Sequence, residues 1–142
     1  MSIIEINNLS KSYGKTKALD NVSFNVERGE LFGLIGPDGA GKTTLFRLLT
    51  TLLTPDEGSA TVDGRDIVKD YLNIRSAVGY MPGRFSLYPD LTVEENLEFF
   101  AALFGVTVKE SYDLIAPIYR QIEPFRKRRA GKLSGGMKQK LA

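Results

Sequence analysis

The sequence predicts an α/β fold, in which strand patterns come first, helix patterns come later, and a glycine-rich loop joins a strand to a helix. Val22, Phe24 and Val26 alternate with polar residues, as in a half-buried strand. Residues 31–35 form a short apolar run suited to a strand buried on both faces. The glycine-rich loop follows at residues 36–43. This order of elements is the basis for the α/β prediction.

A helix is predicted directly after the loop, because four leucines share one helical face: Leu45, Leu48, Leu49 and Leu52. Pro55 and Gly58 are expected to end this element. A small hairpin is predicted next, with Ala60 and Val62 before an Asp63-Gly64 turn and Ile67 after it.

From about Arg84 the periodicity is helical. The pair Thr92 and Glu95 has the spacing of a capping box and predicts a helix that ends at Gly105. Its expected buried face consists of Val93, Leu97, Phe100 and Phe104. A second box at Thr107 and Glu110 predicts another helix, kinked at Pro117, with four apolar members: Leu114, Ile115, Ile118 and Ile122. Both stripes are interpreted as core.

The composition limits the class of protein. With 142 residues, 42% of them hydrophobic and 25% charged, the chain has the length and apolar content of one globular domain. No apolar stretch approaches the roughly 20 residues of a membrane span. The absence of cysteine excludes a disulfide framework and thiolate metal sites, and the absence of histidine excludes imidazole catalysis. No basic-then-apolar leader is present at the start, so secretion is not expected.

The charge is unevenly distributed along the chain. Residues 1–125 hold 12 Lys/Arg against 17 Asp/Glu, whereas residues 126–142 hold seven Lys/Arg and no acid. Three interpretations stay open for this basic end: a solvated face, a patch for phosphate or nucleic acid, or a surface whose acidic partners lie in further sequence. No aromatic residue is interleaved after Phe125 to stack on bases.

The glycine-rich loop satisfies the phosphate-loop pattern G-x-x-x-x-G-K-[ST] and lies between a predicted strand and a helix, as its mechanism requires. Its members are Gly36, Pro37, Asp38, Gly39, Ala40, Gly41, Lys42 and Thr43. Glycines permit positive φ, so consecutive N–H groups can surround a polyphosphate at the positive end of the helix. Lys42 then offers a charge to the β and γ phosphates, and the Thr43 hydroxyl can ligate Mg²⁺. The glycine order does not fit a dinucleotide fingerprint.

A second glycine motif lies almost a hundred residues later, at Leu133-Ser134-Gly135-Gly136-Met137. Ser134 can cap the following helix, while Gly135 and Gly136 expose two amides at its positive end. This segment resembles the signature motif of the ATP-binding cassette ATPases, and the chain from Ile3 to Ala142 follows the order of that family. The resemblance implies a phosphate-loop (RecA-like) core with an antiparallel β subdomain and an α-helical subdomain. Residues 1–83 correspond to the first two parts and residues 84–142 to the helical subdomain.

The resemblance also implies the site and the partners. Two ATP molecules with Mg²⁺ are expected between two such domains in a head-to-tail dimer, where Ser134, Gly135 and Gly136 act on nucleotide held by the other domain. Thr44 joins the phosphate loop, and Tyr13, in Lys11-Ser12-Tyr13-Gly14, is expected to stack on adenine. The implied function is the ATP-binding subunit of a membrane transporter, an exporter, peripheral on the cytoplasmic face and in contact with an integral membrane subunit, without nucleic acid.

Two positions depart from the family pattern. Gly83 stands where the family usually has a glutamine that binds Mg²⁺ and the attacking water; Arg84, Ser86 or Tyr88 are alternatives, and nothing in the sequence selects among them. Met137 replaces a frequent glutamine, as in drug-export ATPases. No apolar run ending in Asp-Glu is present, so the chain is expected to be a fragment that stops before the Walker B strand, with no catalytic residue of its own and ATPase activity only in the intact parent.

Two other functions stay open beside the transporter subunit. One is a soluble cassette ATPase of translation or DNA repair, which the mildly basic net charge of +2 hardly supports. The other is a regulatory cassette that binds nucleotide without turnover, which would suit Gly83 and the missing carboxylates.

Overall fold

The computed structural model describes residues 1–142, which form two units, Met1–Tyr80 and Met81–Ala142. The first contains four strands and two helices: β1 (Ser2–Tyr13), β2 (Thr16–Glu27), α1 (Lys42–Leu49), β3 (Glu57–Val62), β4 (Arg65–Asp66) and α2 (Tyr71–Ala77). The second is helical: α3 (Val93–Leu103), α4 (Tyr112–Tyr119), two short 3-10 turns and α5 (Gly135–Leu141). None of the five α-helices combines the length and the apolar character that crossing a membrane requires.

The strands of Met1–Tyr80 form one antiparallel sheet in the order β2-β1-β3-β4. The alternating residues 22–26 lie in β2, as predicted. The predicted hairpin is also present, because Val62 pairs with Arg65 across a turn in which Asp63 and Gly64 both have positive φ. The sequence analysis assigned no element to α2, of which only Ile74 is buried. A seven-residue helix with one buried residue gives no periodic signal.

One face of this sheet packs on α1. Most of the buried side chains come from the sheet and α1, and Ile67 after β4 and Ile74 of α2 complete the set: Ile6, Leu9, Leu19, Leu45, Leu48, Leu49, Ala60, Val62, Ile67 and Ile74. Helix α1 ends at Leu49, earlier than predicted, because Thr51 takes a left-handed conformation with φ of 61°. Leu52 therefore falls outside the helix and is exposed.

Residues 31–35 do not form the predicted doubly covered strand. They have no regular secondary structure, and no segment of the chain pairs with them. Leu31 and Ile35 are fully exposed, while Phe32 stacks on Phe24 with ring centroids 5.1 Å apart. The prediction was wrong because an apolar run becomes a buried strand only beside neighbours that supply both hydrogen bonds and cover.

In Met81–Ala142, the buried residues join the two longer helices to the C-terminal segment: Val93, Tyr119, Ile122, Ala130, Leu133 and Leu141. The capping box at Thr92 and Glu95 is present as predicted and starts α3. The second box also forms, since Glu110 N donates to Thr107 Oγ1 over 3.2 Å and Thr107 N donates to Glu110 Oε2 over 3.1 Å. It closes an isolated turn, however, and α4 begins only at Tyr112.

The buried face of α4 differs from the predicted one. Ala116 and Tyr119 point into the core and Ile122 continues their line, whereas Leu114 and Ile118 are exposed. The apolar residues of α4 occur on several sides of the helix, so their pattern alone could not identify the face that packs on the core. Phe104 is likewise 76% exposed, because α3 ends at Leu103 and Gly105 turns the chain away with φ of 71°.

Candidate phosphate-binding site

The glycine-rich loop leads from residues 31–35 directly into α1. Gly39 and Gly41 have φ of 83° and 87°, a left-handed conformation that costs an L-residue roughly 1–2 kcal/mol. Gly36, also predicted to exploit positive φ, does not adopt it. The loop turns at these two glycines. Ala40, which lies between them, donates its N–H to the carbonyl oxygen of Pro37 over 3.2 Å.

Gly41 also lies against the sheet. A Cβ atom at this position would be 2.2 Å from the carbonyl oxygen of Ala18 and 2.9 Å from Leu19 Cδ2, both in β2. A Cβ at Gly39 would meet nothing within 4 Å. Glycine at position 41 therefore lets the start of α1 touch β2, and this contact fixes where the helix begins.

The N–H groups at the start of α1 have no partner within the chain. Gly41 caps the helix without a side-chain hydrogen bond, and the amides of Lys42, Thr43 and Thr44 donate to no protein atom. A helix end with open amides and a positive dipole has the donors that an anion needs.

Helix α3 provides the contrast within the same chain. Its first three amides all have acceptors: Val93 N donates to Arg128 O, Glu94 N to Arg126 O, and Glu95 N to the Thr92 hydroxyl. The first amides of α1 therefore stay open, whereas those of α3 are satisfied by the chain itself.

Lys42 folds back over the loop. Its Nζ donates to the carbonyl oxygens of Gly36 and Pro37 over 2.6 and 2.7 Å. These contacts hold one positive charge beside the open amides. Thr43 follows on the exposed side of the helix, so its hydroxyl is accessible to a metal ion that accompanies a phosphate.

Tyr13 lies at the same site. A cleft of about 310 Å³ is lined by Tyr13, Ala18 and residues 38–44. Tyr13 ends β1 and is 47% exposed, so one face of its ring is accessible. The structure thus brings an aromatic ring beside the loop although 23 or more residues separate them in sequence. Ala18 was missed by the sequence analysis, since a small residue in a strand carries no signal for a ligand site.

The second glycine motif lies at the start of α5. Ser134 caps this helix by accepting from Met137 N over a long distance of 3.4 Å. Gly135 and Gly136 are exposed, and a Cβ on either would meet open space. Both amides lack acceptors within the chain.

Gly83 is exposed in the loop before α3, and it contributes no side chain. Of the alternatives nearby, Tyr88 packs its ring on Phe99 and Phe100 at centroid distances of 5.1 and 6.2 Å. The sequence analysis missed Asn96, which is buried and bonds to both the N–H and the carbonyl of Tyr88. A polar residue between Val93 and Leu97 on a predicted core face was the available signal.

An antiparallel sheet packed on a helix that begins in a glycine-rich loop with open amides and a lysine defines a phosphate-loop nucleotide-binding domain. A family profile described as ABC transporter matches residues 19–142. The chain belongs to the ABC transporter family of ATP-binding domains.

Several curated proteins are similar over almost the whole chain. It is 47% identical to the "Probable multidrug ABC transporter ATP-binding protein YbhF" of Escherichia coli, over 99% of this chain and 25% of that protein. It is 39% identical to the "Nod factor export ATP-binding protein I" of Paraburkholderia xenovorans, over 97% of this chain and 46% of that protein. The chain therefore spans less than half the length of these relatives.

Solved structures show the same fold. An ATP-binding subunit of an ABC transporter is 32% identical, with a TM-score of 0.83, over 99% of this chain and 59% of that one. A second, cbiO1 from Clostridium perfringens, described as part of the transporter complex cbiONQ, has a TM-score of 0.79 at 24% identity, which bears on the fold alone.

Proposed function

We propose that the chain binds ATP with Mg²⁺ at residues 36–44 and Tyr13, as part of the ATP-binding subunit of an ABC transporter that exports its substrate. The observation that carries the proposal is the set of amides at the start of α1, which lack acceptors and adjoin the Lys42 ammonium. The names of the similar proteins, a multidrug transporter and a Nod factor exporter, favour export.

The donor set suits a polyphosphate. The amides of residues 41–44 supply neutral donors at the positive end of α1, and Lys42 reaches the β and γ phosphates by exchanging its contacts with Gly36 and Pro37. The Thr43 hydroxyl is placed to ligate Mg²⁺, which neutralises phosphate charge during phosphoryl transfer. Tyr13 offers a ring face on which adenine stacks.

Completion of the site by a second domain is also proposed. Ser134, Gly135 and Gly136 present a hydroxyl and two free amides on an exposed surface, a suitable set for the γ phosphate of nucleotide held by another domain. Because these contacts exist only with the γ phosphate bound, its loss would favour opening of a head-to-tail dimer. ATP hydrolysis is proposed for the intact transporter and not for this chain alone.

The proposed membrane partner is an integral transporter subunit that docks on residues 83–91, which places the domain at the cytoplasmic face of the membrane. Apolar contact area is offered by Tyr88 within this segment and by Phe99 and the exposed Phe104, which follow it in the chain. Asn96 fixes the segment through its bonds to Tyr88 and to the carbonyls of Leu91 and Thr92. A movement of α3 would therefore be transmitted to the docked partner.

Nucleotide binding tests the proposal. Titration calorimetry with ATP and Mg²⁺ is expected to show that Lys42→Ala weakens binding by about 1.5–3 kcal/mol, since a charge-assisted phosphate contact is lost. Lys69→Ala is the matched control, because Lys69 is an exposed lysine in the same unit that forms no ion pair. Equal ATP affinity of Lys42→Ala and the unchanged chain would overturn the assignment.

A further inference from the structure

A cavity of about 610 Å³ lies within Met81–Ala142, between α3, residues 106–109 and α4. Its apolar lining includes Leu97, Ala101 and Val106. The volume lies in the range of small-molecule sites. Neither the phosphate loop nor the second glycine motif contributes to it, so the function proposed above leaves it unused.

A buried tyrosine opens into this cavity. Tyr119 is only 7% exposed, and its ring packs edge-on against that of Tyr112 at 6.0 Å. The Tyr112 hydroxyl donates to Glu123 Oε2 over 2.9 Å, whereas the Tyr119 hydroxyl makes no hydrogen bond within the chain. No fully buried polar side-chain atom lacks a partner, so the Tyr119 hydroxyl is not completely enclosed, and Tyr119 is one of the residues that line the cavity. This hydroxyl is available to a ligand.

The charges around the cavity favour a positive ligand. Glu94, Glu98 and Glu123 line it, and no lysine or arginine nitrogen lies within 4.0 Å of their carboxylates. Lys109 and Arg126 also line it without an ion pair. Burial raises the pKa of the Tyr119 hydroxyl, and Glu123 and Glu94 raise it further against a smaller opposing effect of Arg126.

We propose that this cavity binds a small organic cation whose aromatic or branched aliphatic body packs on the apolar lining. Its protonated or quaternary nitrogen lies near the glutamates and the tyrosine rings, where ion pairing and cation–π attraction both act. The Tyr119 hydroxyl accepts from or donates to a polar group of the ligand. The site lies wholly within Met81–Ala142. It is independent of ATP binding at residues 36–44.

A charged dye and its neutral counterpart test the proposal. The probe is N-methyl-dimethylaminostyryl-pyridinium, a permanent cation with an aromatic body, and the reference is dimethylaminostyryl-pyridine, measured at a pH at which it is uncharged. Fluorescence titration of the chain is expected to give saturable binding of the cation and about tenfold weaker binding of the neutral dye. Glu98→Gln and Tyr119→Phe are each expected to weaken cation binding by about threefold to fivefold.

Control variants separate the cavity from general charge effects. Asp113→Asn removes an exposed carboxylate of α4 that does not line the cavity, so it leaves cation binding unchanged, as does Lys42→Ala. Ala101→Leu narrows the cavity at its apolar lining with a helix-forming residue and is expected to weaken binding. Equal affinity for the two dyes overturns the proposal, as does unaltered cation binding in Ala101→Leu with native circular dichroism. If Ala101→Leu does not fold, Glu98→Gln and Tyr119→Phe decide: unchanged affinity in both overturns the proposal.

Discussion

At the scale of single residues, two glycines of one loop share a backbone conformation and differ in their surroundings. Gly39 and Gly41 both have left-handed φ, but only Gly41 lies against a backbone atom, the Ala18 carbonyl oxygen. We expect Gly39→Ala to lower the free energy of unfolding by about 1 kcal/mol, the cost of the conformation alone. Gly41→Ala adds an overlap that β2 must relieve, so it is expected to cost roughly 2–4 kcal/mol.

Urea unfolding of the two variants measures this difference, and ATP titration gives a second readout. Displacing the start of α1 from β2 moves the open amides, so Gly41→Ala is also expected to lose more ATP affinity than Gly39→Ala. Equal unfolding free energies for the two variants would show that β2 yields easily and that Gly41 does not position the helix.

At the scale of elements, the N-terminus of α3 depends on its capping box. Thr92 Oγ1 accepts from Glu95 N over 3.1 Å, and Glu95 Oε2 accepts from Thr92 N over 2.7 Å. Thr92→Ala is expected to cost about 1 kcal/mol of stability in chemical denaturation. Thr107→Ala is the matched control, because its box closes only an isolated turn, and it should cost less. Equal costs would contradict a special role of the α3 cap.

The same cap has a pH dependence of known sign. Hydrogen bonds from Thr92, the backbone N–H first, hold the pKa of the Glu95 carboxyl below its usual value of 4.5. A carboxyl whose pKa is lower in the folded state stabilises that state fully at pH values above its usual pKa. This contribution is lost as the pH falls through the lower pKa of the folded state. The free energy of unfolding that Glu95→Gln removes should therefore shrink as pH falls below 4.5 through that lowered pKa, which urea unfolding at neutral and acidic pH would measure.

These elements show what the sequence could specify. Caps and turns depend on residues a few positions apart, so Thr92 with Glu95 and the Asp63-Gly64 turn were predictable. The phosphate loop was predictable for the same reason, because its lysine and glycines act within eight positions. The contact of Gly41 with Ala18, the place of Tyr13 beside the loop and the buried face of α4 depend on tertiary packing, which no local pattern specifies.

At the scale of the whole molecule, residues 31–35 are the apolar segment that the fold leaves most exposed. They are apolar, with Leu31 and Ile35 fully exposed and no strand beside them. The solved relative with 32% identity is longer, since this chain covers 59% of it. An exposed apolar segment of this kind tends to associate with other chains.

We therefore expect the 142-residue chain to self-associate without nucleotide, seen as a sedimentation coefficient that rises with protein concentration. The double variant Leu31→Asp with Ile35→Asp should remove this association and leave the free energy of unfolding nearly unchanged, because both side chains are already fully exposed. Leu114→Asp is the matched control, since it replaces an exposed leucine of α4 at 83% exposure, and it should not alter association. A chain that sediments as a monomer at every concentration would show that residues 31–35 do not drive association, and this expectation would then have to be abandoned.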